Sequence, residues 1–164
     1  MKSLITAFIT TIFIISAQAQ TVNIAPDSTG MYLYRVVIET DHLKAVNHKK
    51  IIDYIAYSYK SANDVIQLNT EDKVIAKGNF SISLYGYAHS VDHTLIFDIK
   101  DNKIRATYTQ FKVNVKDKTN NFENEGHWLY FPSKDKIIKK SSEQLSVIIP
   151  EMIKSLKQTV KDDW

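Results

Sequence analysis

The stretch Asn47–Leu84, NHKKIIDYIAYSYKSANDVIQLNTEDKVIAKGNFSISL, carries two different periodicities in succession. In its first part Ile51, Ile52, Ile55, Ala56 and Tyr59 recur at helical spacing, so one stripe of a helix is apolar, and Asn47 is suited to cap its start. The polar run Lys60–Asp64 ends that helix, and Val65–Leu68 leads into Asp72–Gly78. Phe80, Ile82 and Leu84 then alternate with Ser81, Ser83 and Tyr85, the period of a strand wet on one side. A helix feeding directly into a sheet is the unit around which the rest of the chain is read.

Upstream, Met31–Glu39 (MYLYRVVIE) is apolar at nearly every position except Arg35, which predicts an interior strand covered on both faces. Downstream, Asn79–Ala88 runs into an expected turn at His89–Asp92. Thr94–Lys100 returns with Leu95, Phe97 and Ile99 on one face. Asp101-Asn102 is a compact turn pair, since both residues tolerate positive φ. In Lys103–Val115, Ile104, Ala106 and Tyr108 share one face while Arg105, Thr107 and Thr109 share the other. Three antiparallel strands joined by tight turns make a meander. Lys116–Gly126 is polar enough to predict a protruding loop, and His127–Pro132 concentrates aromatic residues. Ser141-Ser142-Glu143-Gln144 fits a capping box ahead of Leu145, Ile148, Ile149, Met152, Ile153, Leu156 and Val160 at helical spacing. Pro150 inside that pattern predicts a kink or a break. The order strand, helix, meander, helix predicts an α+β fold, an antiparallel sheet with two helices packed on one face and the other face free.

At the amino terminus, Met1-Lys2, the apolar run Leu4–Ile15 and the small residues Ser16–Ala19 form the pattern of a secretory signal peptide cleaved after Ala19. The apolar run is too short for a spanning anchor. The mature chain is then an exported, periplasmic or secreted protein and not a lipoprotein, because no cysteine lies near the cleavage site. With no cysteine anywhere, disulfides and thiolate metal sites are excluded. Removing residues 1–19 leaves 145 of the 164 residues. That is enough for one domain burying roughly two thirds of its unfolded surface. Residues 20–30 read as a flexible lead-in and 31–164 as that single domain. A net charge of +3 with interspersed signs gives no electrostatic footprint for nucleic acid or an anionic membrane.

Asn47 through Gly78, with Lys60–Gln67 and then Ile75-Ala76-Lys77-Gly78, resembles the opening of an uncharacterised, exported bacterial domain family described as having a TBP-like fold. Lys100-Asp101-Asn102-Lys103-Ile104-Arg105 is similar to that family's Asp-Gly-x-x-Arg hairpin, so the resemblance spans about Val36 to Phe111. Tyr57 stands where the family usually has Trp, Asn102 where it has the turn glycine, and Ala76 where glycine is common. The resemblance implies a fold and an exported location, and it brings no activity, ligand or catalytic residue with it.

Motif chemistry is sparse. There is no G-x-S-x-G, H-E-x-x-H or phosphate-binding glycine loop, so no catalytic residue, metal ligand or cofactor is assigned. His89 and His93 are read as exposed turn residues, and His42 and His48 as solvent-facing or capping residues beside the first helix. The polar face of the meander is the better candidate, with Tyr85, Tyr87, Asp98, Arg105 and Thr107 as ligand-binding residues. Ser81, Ser83 and Thr109 lie beside them. Trp128, with Tyr130 and Phe131, is a second candidate contact point. Minor-groove readers need phosphate-binding cations and apolar wedges, and here Arg105 is offset by Asp98, so nucleic acid is not an expected partner. The expected function is a non-catalytic exported binding module for an envelope protein or a small polar ligand, using the open sheet face. The alternatives are an envelope hydrolase, with its site on that face or under the Trp128 loop, and a structural subunit pairing with its own copy.

Overall fold

The computed structural model describes residues 22–59, 61–115, 118–124 and 132–158. The candidate signal peptide and Trp128, Tyr130 and Phe131 lie outside them. The elements are β1 (Ala25–Pro26), β2 (Tyr32–Glu39), α1 (Lys44–Ser58), α2 (Ala62–Val65), β3 (Ile66–Asn69), β4 (Lys73–Leu84), β5 (Tyr87–Lys100), β6 (Lys103–Val115), β7 (Lys118–Asn121) and α3 (Lys134–Lys157). The strands form one antiparallel sheet in the order β1-β2-β6-β5-β4-β3, with β7 pairing the far end of β6. The expected meander is present as β4-β5-β6.

Both long helices pack on the same side of this sheet. Ile51 and Ile55 of α1 and Ile137, Leu145, Ile149, Met152 and Leu156 of α3 join one core cluster with Val74, Leu95, Phe97, Ile104 and Phe111 of the strands. Each fully buried side chain of this size contributes roughly 1.5–3 kcal/mol, which is what holds two separate helices to one sheet. The α+β architecture, with one sheet face free of helices among the described residues, therefore matches the sequence expectation.

Several local expectations do not hold. Asn47 is not a cap: α1 begins a turn earlier at Lys44, and Asn47 is fully buried. Its Oδ1 accepts from Thr40 Oγ1, while Nδ2 donates to the carbonyls of His42 and Lys100, so it pins α1 to the β5–β6 turn. Ser141 likewise sits inside α3, which starts at Lys134 and runs unbroken past Pro150. Pro150 lies on the exposed side, where the carbonyl deprived of its N–H partner can meet water. The lead-in is not detached. Val22 and Ile24 are buried, and the Ile24 N–H donates to Ser142 Oγ on α3.

β2 alternates rather than hiding both faces: Tyr34, Val36 and Ile38 are buried while Arg35, Val37 and Glu39 are exposed. The turn expected at His89–Asp92 lies instead at Tyr85-Gly86, where φ values of 53° and 81° suit a two-residue hairpin. Part of the expected loop is β7, which buries Asn120, and Phe122 just after it is buried as well. Its sequence looked too polar for structure, but pairing with β6 satisfies the backbone and lets alternate residues face inward.

Candidate binding surfaces

Strand alternation decides which residues share the helix-free face. Cross-strand rows run Lys73–Asp98–Arg105–Val37 and Leu68–Ile75–Ile96–Thr107–Arg35, with Lys77–Thr94–Thr109–Leu33 beside them. Ser81 follows on the same side of β4 and pairs with Ser90. Asp98, Arg105 and Thr107, three of the predicted binding residues, are therefore together. Asp98 is the electrostatic centre of the group. Its Oδ2 accepts from Arg105 Nε at 3.0 Å and faces Nη2 at 2.9 Å, and its Oδ1 faces Lys73 Nζ at 3.3 Å. Partial burial pushes the Asp98 carboxyl up, but the hydrogen bonds and charges of Arg105 and Lys73 outweigh it and hold it below the usual range. Thr107 is buried among its neighbours and receives Arg35 Nε at 3.4 Å, so it supports Arg35 rather than offering a free hydroxyl.

Tyr85 and Tyr87 do not belong to that face. Tyr85 occupies the β4–β5 turn, with Lys136 Nζ of α3 lying 4.1 Å from its ring centre. Tyr87 pairs with Leu84, whose side chain is buried on the helix side, so Tyr87 points that way from an exposed hairpin tip. The sequence-level set failed here because it extended the parity of Ser81 and Ser83 through a turn that reverses the chain.

A second surface lies on the helix side and is the one sequence reasoning missed. A cleft of about 640 Å³ opens between the end of α1, the carboxyl-terminal half of α3 and the sheet. Its inner wall is aromatic: Tyr54 from α1, Tyr59 just after it, His93 from β5 and Tyr108 from β6. Tyr59 reaches it because the chain leaves α1 in an extended conformation at φ −120°, ψ 143°. Its ring then lies on Gly78 of β4, where a Cβ would come within 2.3 Å of it. That close approach is the reason for a glycine inside a central strand.

His93 is the reverse of the expected exposed histidine. It is buried, with its ring centre 5.4 Å from Phe80, 5.1 Å from Tyr108 and 6.5 Å from Phe111. Its Nε2 lies 3.4 Å from Tyr59 Oη, and its Nδ1 has no hydrogen-bond partner. Burial drives its pKa down to about 4. The Val91 backbone, through a contact short of hydrogen-bond geometry, and the Asp92 charge offset only part of this. Burial pushes the phenols of Tyr54, Tyr59 and Tyr108 up, so all four groups are uncharged at neutral pH. His89 and His93 make no metal pair, since four residues along a strand separate them by about 13 Å. Among the described residues no cluster of three or more His, Asp or Glu could hold a metal.

A sheet in this order, with both long helices on one side and no helix of the described residues on the other, defines an α+β protein of TBP-like fold. Two solved structures share it. A TBP-like protein from Parabacteroides distasonis superposes with a TM-score of 0.67 over 80% of this chain and 96% of its own, at 11% identity. A DUF4468 family protein from Bacteroides ovatus gives a TM-score of 0.65 over 83% and 92% of the two chains, at 10% identity. Likeness at such identity establishes the fold, in agreement with the resemblance read from Val36–Phe111, and neither protein's name carries an activity. No protein-family model and no curated protein matches the chain.

Proposed function

We propose that the protein is an exported, non-catalytic binding module, and that its helix-free sheet face contacts a partner protein carrying carboxylates. The carrying observation is the imbalance of that face. Asp98 is already engaged by Lys73 and Arg105, whereas Arg35, Lys77 and Lys112 make no ion pair among the described residues. Exposed Val37 and Leu68 lie among these cations, which supplies the apolar contact area that an interface also needs. A rigid sheet holds these groups in place, so little ordering cost opposes association.

Photocrosslinking in the producing cells tests this. A benzoylphenylalanine at Val37 should give one discrete adduct, and the double change Arg35→Glu and Lys77→Glu should abolish it. A benzoylphenylalanine at Val147, exposed on α3, is the comparison. An adduct from Val147 but none from Val37 would refute the sheet face as the contact surface.

A further inference from the structure

We infer that the outer edge of β2 is a self-pairing surface: two copies of the chain join there antiparallel about Val37, with Arg35 of each copy facing Glu39 of the other.

The edge is open because its cover stops short. β1 is only two residues long, holds Pro26, and pairs with Tyr32 and Leu33 alone. Among the described residues no strand lies beside Tyr34–Glu39 on that side. The direction of the backbone groups follows from the bonds already made. The Thr40 N–H donates to the Asn102 carbonyl at 2.9 Å, and the register against β6 then gives Ile38, Val36 and Tyr34 the inward bonds. Arg35, Val37 and Glu39 each keep an N–H and a carbonyl aimed away from the sheet. Such a row is a template for another strand. No proline or bulge interrupts residues 34–39, and their two charged side chains are of opposite sign.

What selects a second copy is the spacing of those charges. In an antiparallel pair of identical strands centred on Val37, Arg35 lies opposite Glu39 and Val37 opposite itself. All the outward backbone groups of the three residues are then used. Opposite charges meet twice, once on each side of the axis, and no other centre within the strand achieves this. Val37 shares the helix-free face with both and is 53% exposed, so the two valines supply an apolar middle. Arg35 touches only the Thr107 hydroxyl, through Nε at 3.4 Å. Glu39 faces Lys103 Nζ at 3.7 Å, with both side chains more than half exposed, which leaves its carboxylate room for a guanidinium. Between Lys103 and Arg35 of the second copy, Glu39 takes the place that Asp98 has between Lys73 and Arg105. Because the two-fold axis stands perpendicular to the sheet, the two helix-free faces join into one continuous surface. The inference rests on the reading of Arg35 as a cation kept for a partner's carboxylate, and it names that partner.

The experiment uses the chain as purified from the producing cells, in sedimentation velocity at about 5–200 μM, a range suited to an interface of modest size. The wild type should sediment as a dimer at the upper end. Arg35→Glu and Glu39→Arg should each weaken self-association at least about tenfold, because like charges then lie opposite each other. An equimolar mixture of the two variants should regain a dimer of wild-type affinity, since every charge again meets its opposite. That rescue also shows that both variants are folded. Val37→Pro removes an N–H that β6 does not use, and should leave a monomer with the ladder to β6 intact. A wild type that stays monomeric throughout, a dimer that survives both charge reversals, or a mixture that stays monomeric would each overturn the inference. None of these results touches the sheet-face contact itself, because a Val37 adduct with another protein does not depend on the chain pairing with its own copy.

Discussion

His93 makes the folded state sensitive to acid in a way that can be worked out in advance. The folded protein keeps the imidazole neutral down to about pH 4, whereas the ordinary value from which burial displaces it is 6.5. Between those values the unfolded chain binds more protons, so stability is full above pH 6.5 and falls as the pH drops towards 4. At about 1.4 kcal/mol per pH unit, that interval amounts to ~3 kcal/mol. A loss of this size is a large share of the ~5–15 kcal/mol that holds a typical domain together. His93→Phe removes the titration and keeps a ring among Phe80, Tyr108 and Phe111. Urea unfolding of both proteins at pH 7.5 and 4.5 isolates the contribution, because every other titrating group is common to the two. The wild type should lose about 2–3 kcal/mol more than the variant on acidification. Parallel losses would show that His93 is protonated in the fold at pH 4.5, and the account of the neutral cleft wall would fail with it.

Other substitutions probe the remaining supports. Asn47→Ala strands the carbonyls of His42 and Lys100 and the Thr40 hydroxyl, and should cost about 2–4 kcal/mol in urea denaturation. Asn47→Asp should be little better, because a carboxylate cannot donate to either carbonyl. Gly78→Ala drives a methyl into the Tyr59 ring and should cost about 1–3 kcal/mol. Adding Tyr59→Ala should then lower stability by less than it does alone, a non-additivity that a double-mutant cycle detects. Asp98→Ala leaves Lys73 and Arg105 facing each other without their shared carboxylate and should cost about 1 kcal/mol at low salt, less at high salt. Because that carboxyl is held below its ordinary value of 3.8, its contribution is present above that pH and disappears as acid protonates the folded form.

How far the sequence discloses this molecule depends on what each residue's pattern can encode. The helix–strand unit was readable because Ile51, Ile55, Phe80, Ile82 and Leu84 obey one period each. Asn47 was misread because a polar residue ahead of an apolar run looks the same whether it caps a helix or ties it from within to a distant turn. Only the partner 53 residues away distinguishes the two. Half of the candidate sheet face was legible from alternation alone, in Asp98, Arg105 and Thr107. Arg35 was not, since its place beside Thr107 depends on β2 pairing across 72 residues. The cleft could not be seen at all, because it is assembled from three elements and from the absence of a side chain at Gly78.

One irregularity in β6 explains how a single sheet comes to carry both surfaces. Apolar residues occupy even positions at Ile104, Ala106 and Tyr108, then odd positions at Phe111 and Val113. The register against β5 slips at that point, with Thr94 opposite Thr109 but Asp92 opposite Lys112, and Gln110 adopts φ 54° to absorb the extra residue. Such a bulge keeps both halves of the strand facing the core while turning its direction. β5 has no matching insertion, so its alternation continues unbroken, and His93 must point inward between Val91 and Leu95 whatever its polarity. The histidine is thus carried to the helix side by strand period, where α1 has delivered Tyr59 to meet it. Thr94 on the opposite side reaches across the bulge, its Oγ1 donating to Gln110 Oε1 at 2.7 Å. If β6 ran straight through Gln110 with no bulge, plain alternation would turn Phe111 and Val113 onto the helix-free face and Lys112 inward, so the aromatic core and the cationic face depend on the same irregularity.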